Sequence, residues 1–233
     1  MKEKITQQAL NQIINSDLVL DGIIGTKSIN AIRTLIKKLD TRYNNLGYSW
    51  YSHEIIGLRM TKTYTNKFTD WYILLNRDTP SKTRILPCST LPGLYGFGGV
   101  LNPKTVYGRH GVAVMKPGQY KKCYRLQGIK KPMGNTYFDN WSGKTYLMQV
   151  GEVSVYRDGT KDWLIDYDEN TVQTGYFGIN QHSWRGHLSN IVNSLSQGCQ
   201  VYRSDIHDMI VPFWFNLEKV QGNLLTYTLL DLA

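Results

Sequence analysis

The stretch Gly178-Ile179-Asn180-Gln181-His182-Ser183, followed by Ser196-Gln197-Gly198-Cys199, sets one histidine shortly before one cysteine. A thiol is a weak nucleophile until a neighbouring imidazole takes its proton. A glycine just before the nucleophile lets the backbone turn tightly and aim N–H groups at a developing oxyanion. The pattern points to acyl transfer. Cys199 is the candidate nucleophile, and His182 is the general base that later protonates the leaving amine. The N–H groups of Gln197, Gly198 and Cys199 are the expected oxyanion donors. Ser183 or Ser196 is expected to orient the imidazole through a hydroxyl or a carbonyl. Trp184, Arg185 and Tyr202 flank the pair as candidate substrate contacts, and Trp184 reads equally well as a loop residue covering the core. The bland alternative for Cys199 is a buried structural thiol.

A second chemistry uses the same residues differently. His110, His182, His187 and Cys199, with Asp166 or Asp168, would supply donors to a zinc ion. Their spacings match no zinc motif, and the chain holds neither Cys-x-x-Cys nor His-Glu-x-x-His. The thiol reading needs no metal and no cofactor.

The elements that must position these residues fall into two kinds. Residues 1–40 read as helical. Ile5, Ala9, Leu10, Ile13 and Ile14 recur at helix spacing, and Ile29, Ile32, Leu35, Ile36 and Leu39 form a second stripe after a turn at 21–28. Thr26 is the expected cap of that second helix. Residues 41–53 look like a linker. From Glu54 the pattern becomes strands, at 55–60, 71–76, 84–88, 112–115, 146–150, 153–156 and 176–180, with a Gly-rich loop over 96–99. One helix follows Ser204-Asp205, with Pro212 bending it, and residues 224–230 read as a closing strand. The expected fold is mainly β within an α+β class. A helical module over 1–45 precedes a β-rich domain over 54–233.

Composition bounds the partners. The chain has 233 residues, 41% of them hydrophobic, enough to bury a proper core. The net charge is +9, but the basic residues are scattered, with pairs at 37–38, 121–122 and 130–131. A nucleic-acid binder concentrates them on one element, so no nucleic-acid partner is expected. A basic surface also suits an anionic polymer such as a bacterial wall. No apolar run approaches membrane-spanning length, and the first residues lack the apolar core of a signal peptide. Three cysteines without framework spacing fit a reducing compartment. Synthesis in a cytoplasm, with no membrane partner, is expected.

Two resemblances sharpen this. Asp21-Gly22-Ile23-Ile24-Gly25-Thr26-Lys27-Ser28, continuing to Ala31-Ile32, resembles the core of the small three-helix peptidoglycan-binding repeat. Asp21, Gly22 and Gly25 are then the implied wall-binding turn, and a plain helical hairpin packed on the main domain is the competing reading. His182, a spacer and Ser196-Gln197-Gly198-Cys199 on a β-rich domain resemble the catalytic domain of the L,D-transpeptidases. The blocks Gln149-Val150-Gly151, Val155-Tyr156-Arg157-Asp158, Gly175 to Asn180 and Tyr227 to Leu230 are similar to a divergent branch found in bacteriophages. The chain departs from that pattern in three places: Gln197 stands where histidine is common, Val201 where a polar or basic residue is common, and the spacer before Ser196 is slightly short. The resemblance implies a cysteine enzyme acting on peptidoglycan stem peptides through a thioester. Cross-linking and cleavage both remain open, as does a wall-binding or virion protein that keeps the fold without the reaction. Virion proteins are then possible partners. The implied site of action is the wall, reached after lysis-type release or by delivery in a virion.

Overall fold

The computed structural model describes residues 2–62, 66–93, 112–130, 137–138, 145–157, 166–183, 190–192, 196 and 198–232. Two helices open the chain, α1 (Lys2–Ile14) and α2 (Thr26–Leu46). Strands β1 (His53–Arg59), β2 (Asp70–Asn76) and β3 (Arg84–Ser89) follow as a meander. After them come β4 (Ala113–Met115), β5 (Gly118–Gln127), β6 (Ile129–Lys130) and β7 (Tyr137–Phe138). Next are β8 (Tyr146–Gln149), β9 (Val153–Arg157), β10 (Gln173–Gly175), β11 (Gln181–His182) and β12 (Gln200–Tyr202). Helix α3 (His207–Gln221) and strand β13 (Leu225–Asp231) close the chain.

Eight strands form a closed barrel in the order β1-β13-β5-β8-β11-β12-β3-β2. Closure leaves no unpaired sheet edge and fixes which face of each strand is interior. A small sheet, β10-β9-β4, stands beside it. The interior carries Ile55, Tyr72, Leu74, Tyr124, Leu147, Tyr202 and Tyr227, with Ile210, Trp214 and Leu217 of α3 packed among them. Gly57 faces the same side as Tyr227, and a Cβ there would stand 2.0 Å from the Tyr227 hydroxyl. The ring therefore needs the missing side chain.

The outer face of β1, β2 and β3 is apolar too, because α1 and α2 cover it. Ala9, Leu10, Ile32, Leu35, Leu39 and Tyr43 join Ile56, Leu58, Trp71, Ile73, Leu75 and Ile85 in one buried cluster. This explains why β2 is buried along its whole length. A strand covered on both faces shows no polar alternation.

Several expectations are corrected. Of residues 41–53, expected to be a linker, only 47–52 connect two elements, α2 and β1. Helix α2 runs through Leu46 and stops where Gly47 takes a left-handed conformation (φ 67°), while buried Tyr43 stacks on Trp50 at 4.1 Å. The N-cap of α2 is Gly25, with no side-chain capping bond, and Thr26 is the first helical residue. Residues 176–180 are not a strand but the segment between β10 and β11. Gly178 is left-handed there (φ 69°), which interrupts the strand dihedrals. Strand β5 was not anticipated. Its central Lys121-Lys122 hides the alternation, and Lys122 itself has φ 54° near an irregularity in the pairing of β5 with β13. The Gly-rich loop over 96–99 lies outside the described residues. Among the described residues, no helix is long and apolar enough to cross a membrane.

Candidate active site

Strands β11 and β12 run parallel, with Gln181 opposite Gln200 and His182 opposite Val201. Side chains alternate along a strand, so Gln181 and Gln200 share one face and His182 and Val201 share the other. Cys199, one residue before Gln200, falls on the His182 face. The backbone continues the register there, since the Gln200 N–H donates to Asn180 O at 2.9 Å. Cys199 and His182 are therefore diagonal neighbours.

The two glutamines hold this arrangement from inside the barrel. The Tyr72 hydroxyl donates to Gln181 Oε1 and accepts from Trp214 Nε1 at 3.1 Å. Tyr227 donates to Gln200 Oε1 at 3.0 Å. Each glutamine is chain neighbour to a candidate catalytic residue. Anchoring it inward turns that residue to the opposite face.

The loop before the cysteine is built by Ser196. Its hydroxyl donates to Cys199 O at 2.7 Å and accepts the Gly198 N–H at 3.2 Å, while its carbonyl accepts from Gly93 N–H at 2.9 Å. Gly198 has φ 139°, and a Cβ there would lie 2.8 Å from Ala113 O of β4. A glycine is required both for the dihedral and for the close approach to β4. Strand β4 is tied in turn by buried Arg59, whose Nη2 donates to Met115 O at 2.8 Å and whose Nε donates to Thr90 Oγ1 at 3.1 Å. Asp70 completes that cluster, accepting from Met60 N, Thr90 N and Thr90 Oγ1. Burial nevertheless lifts its carboxyl above the usual range.

The approach to His182 is held by one side chain. Gln149 Nε2 donates to Gly151 O (2.9 Å) and Gly175 O (3.0 Å). Its Oε1 accepts from Phe177 N (3.2 Å) and Ile179 N (2.9 Å). The amide replaces the ladder bonds that a strand over 176–180 would have made. Gly178 sits between the two anchored N–H groups, and its carbonyl accepts the Cys199 thiol at 3.4 Å.

The Cys199 thiol is partly accessible, unlike buried Cys88 and Cys123. The protein packed around it still pushes its pKa up to about 11, an effect opposed by the Asn180 backbone N–H. Burial pushes Cys123 up to about 12 and Cys88 well above its usual value. Near neutral pH Cys199 therefore rests as a thiol.

His182 is buried, with Nδ1 3.3 Å from Ser183 O. The tautomer protonated on Nδ1 satisfies that contact and puts the lone pair on Nε2. Ser183 uses its hydroxyl elsewhere, 3.2 Å from His207 Nδ1. His207 opens α3 and stacks on Tyr202, whose hydroxyl is 3.4 Å from the same nitrogen.

Three site assignments change accordingly. Ser196 spends its hydroxyl and carbonyl on the cysteine loop and Gly93, and the Ser183 carbonyl stands at His182 Nδ1. The Gly198 N–H is spent on Ser196 Oγ and is not directed at an oxyanion. Tyr202 is only 1% exposed and faces the barrel interior, so it supports the site from behind and does not meet substrate there. Gln197, Trp184, Arg185, His110 and His187 lie outside the described residues. Among the described residues, no group of three or more His, Cys, Asp or Glu is placed to hold a metal ion. Asp168 caps a short turn by accepting from Asn170 N at 2.8 Å.

Reasoning from sequence missed Gln149 and His207 as site supports. A glutamine ending a strand just before a glycine, and a histidine at a helix start, carry no distinctive local signal. The N-terminal turn is organised in a comparable way. Buried Gln7 donates to Asp21 Oδ1 at 2.7 Å and accepts the Gly22 N–H at 3.0 Å. That bond to Gln7, with the Ile23 N–H, holds the Asp21 carboxyl below the usual range. Asp21 and Gly25 line a cavity of about 280 Å³, beside exposed Val19 and Ile23. Neither the family models nor the curated proteins include a match to this chain.

Proposed function

We propose that this protein is a cysteine-dependent acyltransferase of the L,D-transpeptidase type. It acts on peptidoglycan stem peptides and serves as a phage-associated, wall-degrading protein. The observation that supports this reading is the register of β11 and β12, which pairs Gln181 with Gln200 and His182 with Val201 and so leaves Cys199, one residue before β12, on the His182 side by strand alternation. Gly198 turns the chain immediately before the thiol.

His182 Nε2 takes the thiol proton as Cys199 Sγ attacks the carbonyl carbon of a stem peptide bond. The raised pKa means that deprotonation accompanies attack, because a standing thiolate is too rare. The tetrahedral oxyanion is met by the backbone N–H of Cys199. Collapse expels the amine, which takes the proton from His182, and leaves a thioester. An amine from a second stem resolves it to a cross-link, and water resolves it to a cut; the degradative role takes water. The turn of Asp21, Gly22 and Gly25, with the exposed apolar residues beside it, holds the enzyme on the wall by raising its effective concentration there.

A non-catalytic wall-binding or virion protein is the second reading. The raised thiol pKa and the occupied Gly198 N–H favour it. The two are separated by incubating the full chain with purified peptidoglycan and analysing the fragments by mass spectrometry. New or lost stem-peptide bonds, abolished by Cys199→Ser, are expected. Unchanged muropeptides together with retained sedimentation on sacculi refute catalysis.

A further inference from the structure

A second cavity, far in sequence from Cys199, opens between α2 and the barrel at β1 and β13. It measures about 490 Å³, within the range of roughly 300–1,000 Å³ typical of small-molecule sites. Its floor is apolar, built by Ile13, Leu35, Leu39, Leu58 and Leu230. Leu46 and Leu232 also line it yet are 47% and 41% exposed, so apolar surface continues outward from the floor. Such continuity is unusual for a surface helix seated on a sheet.

The polar lining has one sign. Lys38 and Arg42, one helical turn apart on α2, stand in the wall with Thr41 and Asn45. None of the described residues lining the cavity is acidic. Arg42 is held in place by a hydrogen bond from its guanidinium to Asp231 O. Lys38 is exposed. Asp40, the carboxylate between them in sequence, is turned away to Arg77 at 2.7 Å.

An apolar floor with a cationic wall selects a ligand with an apolar chain and an anionic head. We infer that this cavity binds a single-chain anionic amphiphile, with its chain against Leu35, Leu39, Leu58 and Leu230 and its head at Lys38 and Arg42. A free fatty acid and a single-chain lipid phosphate share this chemistry. The site is independent of Cys199 and of the proposed wall reaction.

The test is titration calorimetry on the full chain with octanoate, decanoate and dodecanoate below their micelle concentrations. Saturable one-to-one binding is expected. Affinity is expected to rise about fourfold per added methylene while the chain remains inside the cavity. Dodecyl phosphate distinguishes the two sources by its ratio to dodecanoate. Lys38→Glu, at an exposed position, is expected to weaken dodecanoate about tenfold and leave dodecanol unchanged. Leu46→Trp, which fills the mouth, is expected to weaken both. Absence of saturable binding, or equal dodecanoate affinity in Lys38→Glu, overturns the inference. So does concentration-dependent dimerisation that Leu46→Glu abolishes, since the groove would then be covered by a second copy.

Discussion

Replacing Gln149 with leucine removes an amide but keeps nearly the same volume. The native amide makes four hydrogen bonds, to Gly151, Gly175, Phe177 and Ile179. Gly151, Gly175 and Phe177 are half-buried, so water can reach the groups released there. Each of those losses costs about 0.5–1 kcal/mol. Ile179 is buried, and its N–H would be left without an acceptor at about 1–3 kcal/mol. The total is about 4 kcal/mol, a large share of the roughly 5–15 kcal/mol that holds a typical domain together. Urea unfolding followed by tryptophan fluorescence reads it directly. With a slope of about 2–3 kcal/mol per molar, the midpoint should fall by about 1.3–2 M. The local effect is separable. Gly178, whose carbonyl accepts the Cys199 thiol, loses its anchors on both sides. Iodoacetamide should therefore label Cys199 faster in the variant under native conditions. A midpoint shift below about 0.3 M, with unchanged labelling, refutes the view that this one amide holds the segment.

The remaining predictions concern the thiol, the barrel interior and the helical cover. Burial disfavours the Cys199 thiolate, so alkylation should rise about tenfold per pH unit from 7 and level off only near pH 11; a plateau below pH 9 would show an activated thiolate instead. Cys88 and Cys123 should stay unlabelled in the folded protein because both are buried. Gly57→Ala should destabilise strongly by clashing with the Tyr227 hydroxyl, and adding Tyr227→Phe should restore part of the loss in thermal melts. Deleting residues 1–46 exposes Ile56, Leu58, Trp71, Ile73 and Ile85, so the remainder should aggregate and not survive as a free domain; a soluble, cooperatively melting remainder would refute that. Wall binding is therefore better tested by Asp21→Ala and Ile23→Ser in the full chain, with sacculus sedimentation as the readout.

Much was legible from local pattern. Helices α1 and α2, the meander β1–β3, helix α3 and strand β13 follow from apolar periodicity and turn residues, since each buries a stripe its own sequence displays. The candidate pair Cys199 and His182 was legible from residue type and from the glycine between Gln197 and Cys199. Strand β5 was not, because its alternation is broken by paired lysines that a strand with one solvated face tolerates. The extent of α2 was hidden by Tyr43 and by the asparagines after it, whose helical state depends on packing and on Gly47.

What the sequence determined by itself was therefore the residue chemistry and the elements with strong internal periodicity. The tertiary structure decided the rest. Closure of the barrel fixes which face Gln181 and Gln200 occupy, and through them the face given to His182 and Cys199. Gln149 reaches residues 26 and 30 positions away, and Tyr72 reaches Gln181 across 109. The Cys199 pKa depends on how many atoms of distant segments surround one sulfur. Contacts at such separations leave no mark on local spacing, because they exist only once the chain has folded around them.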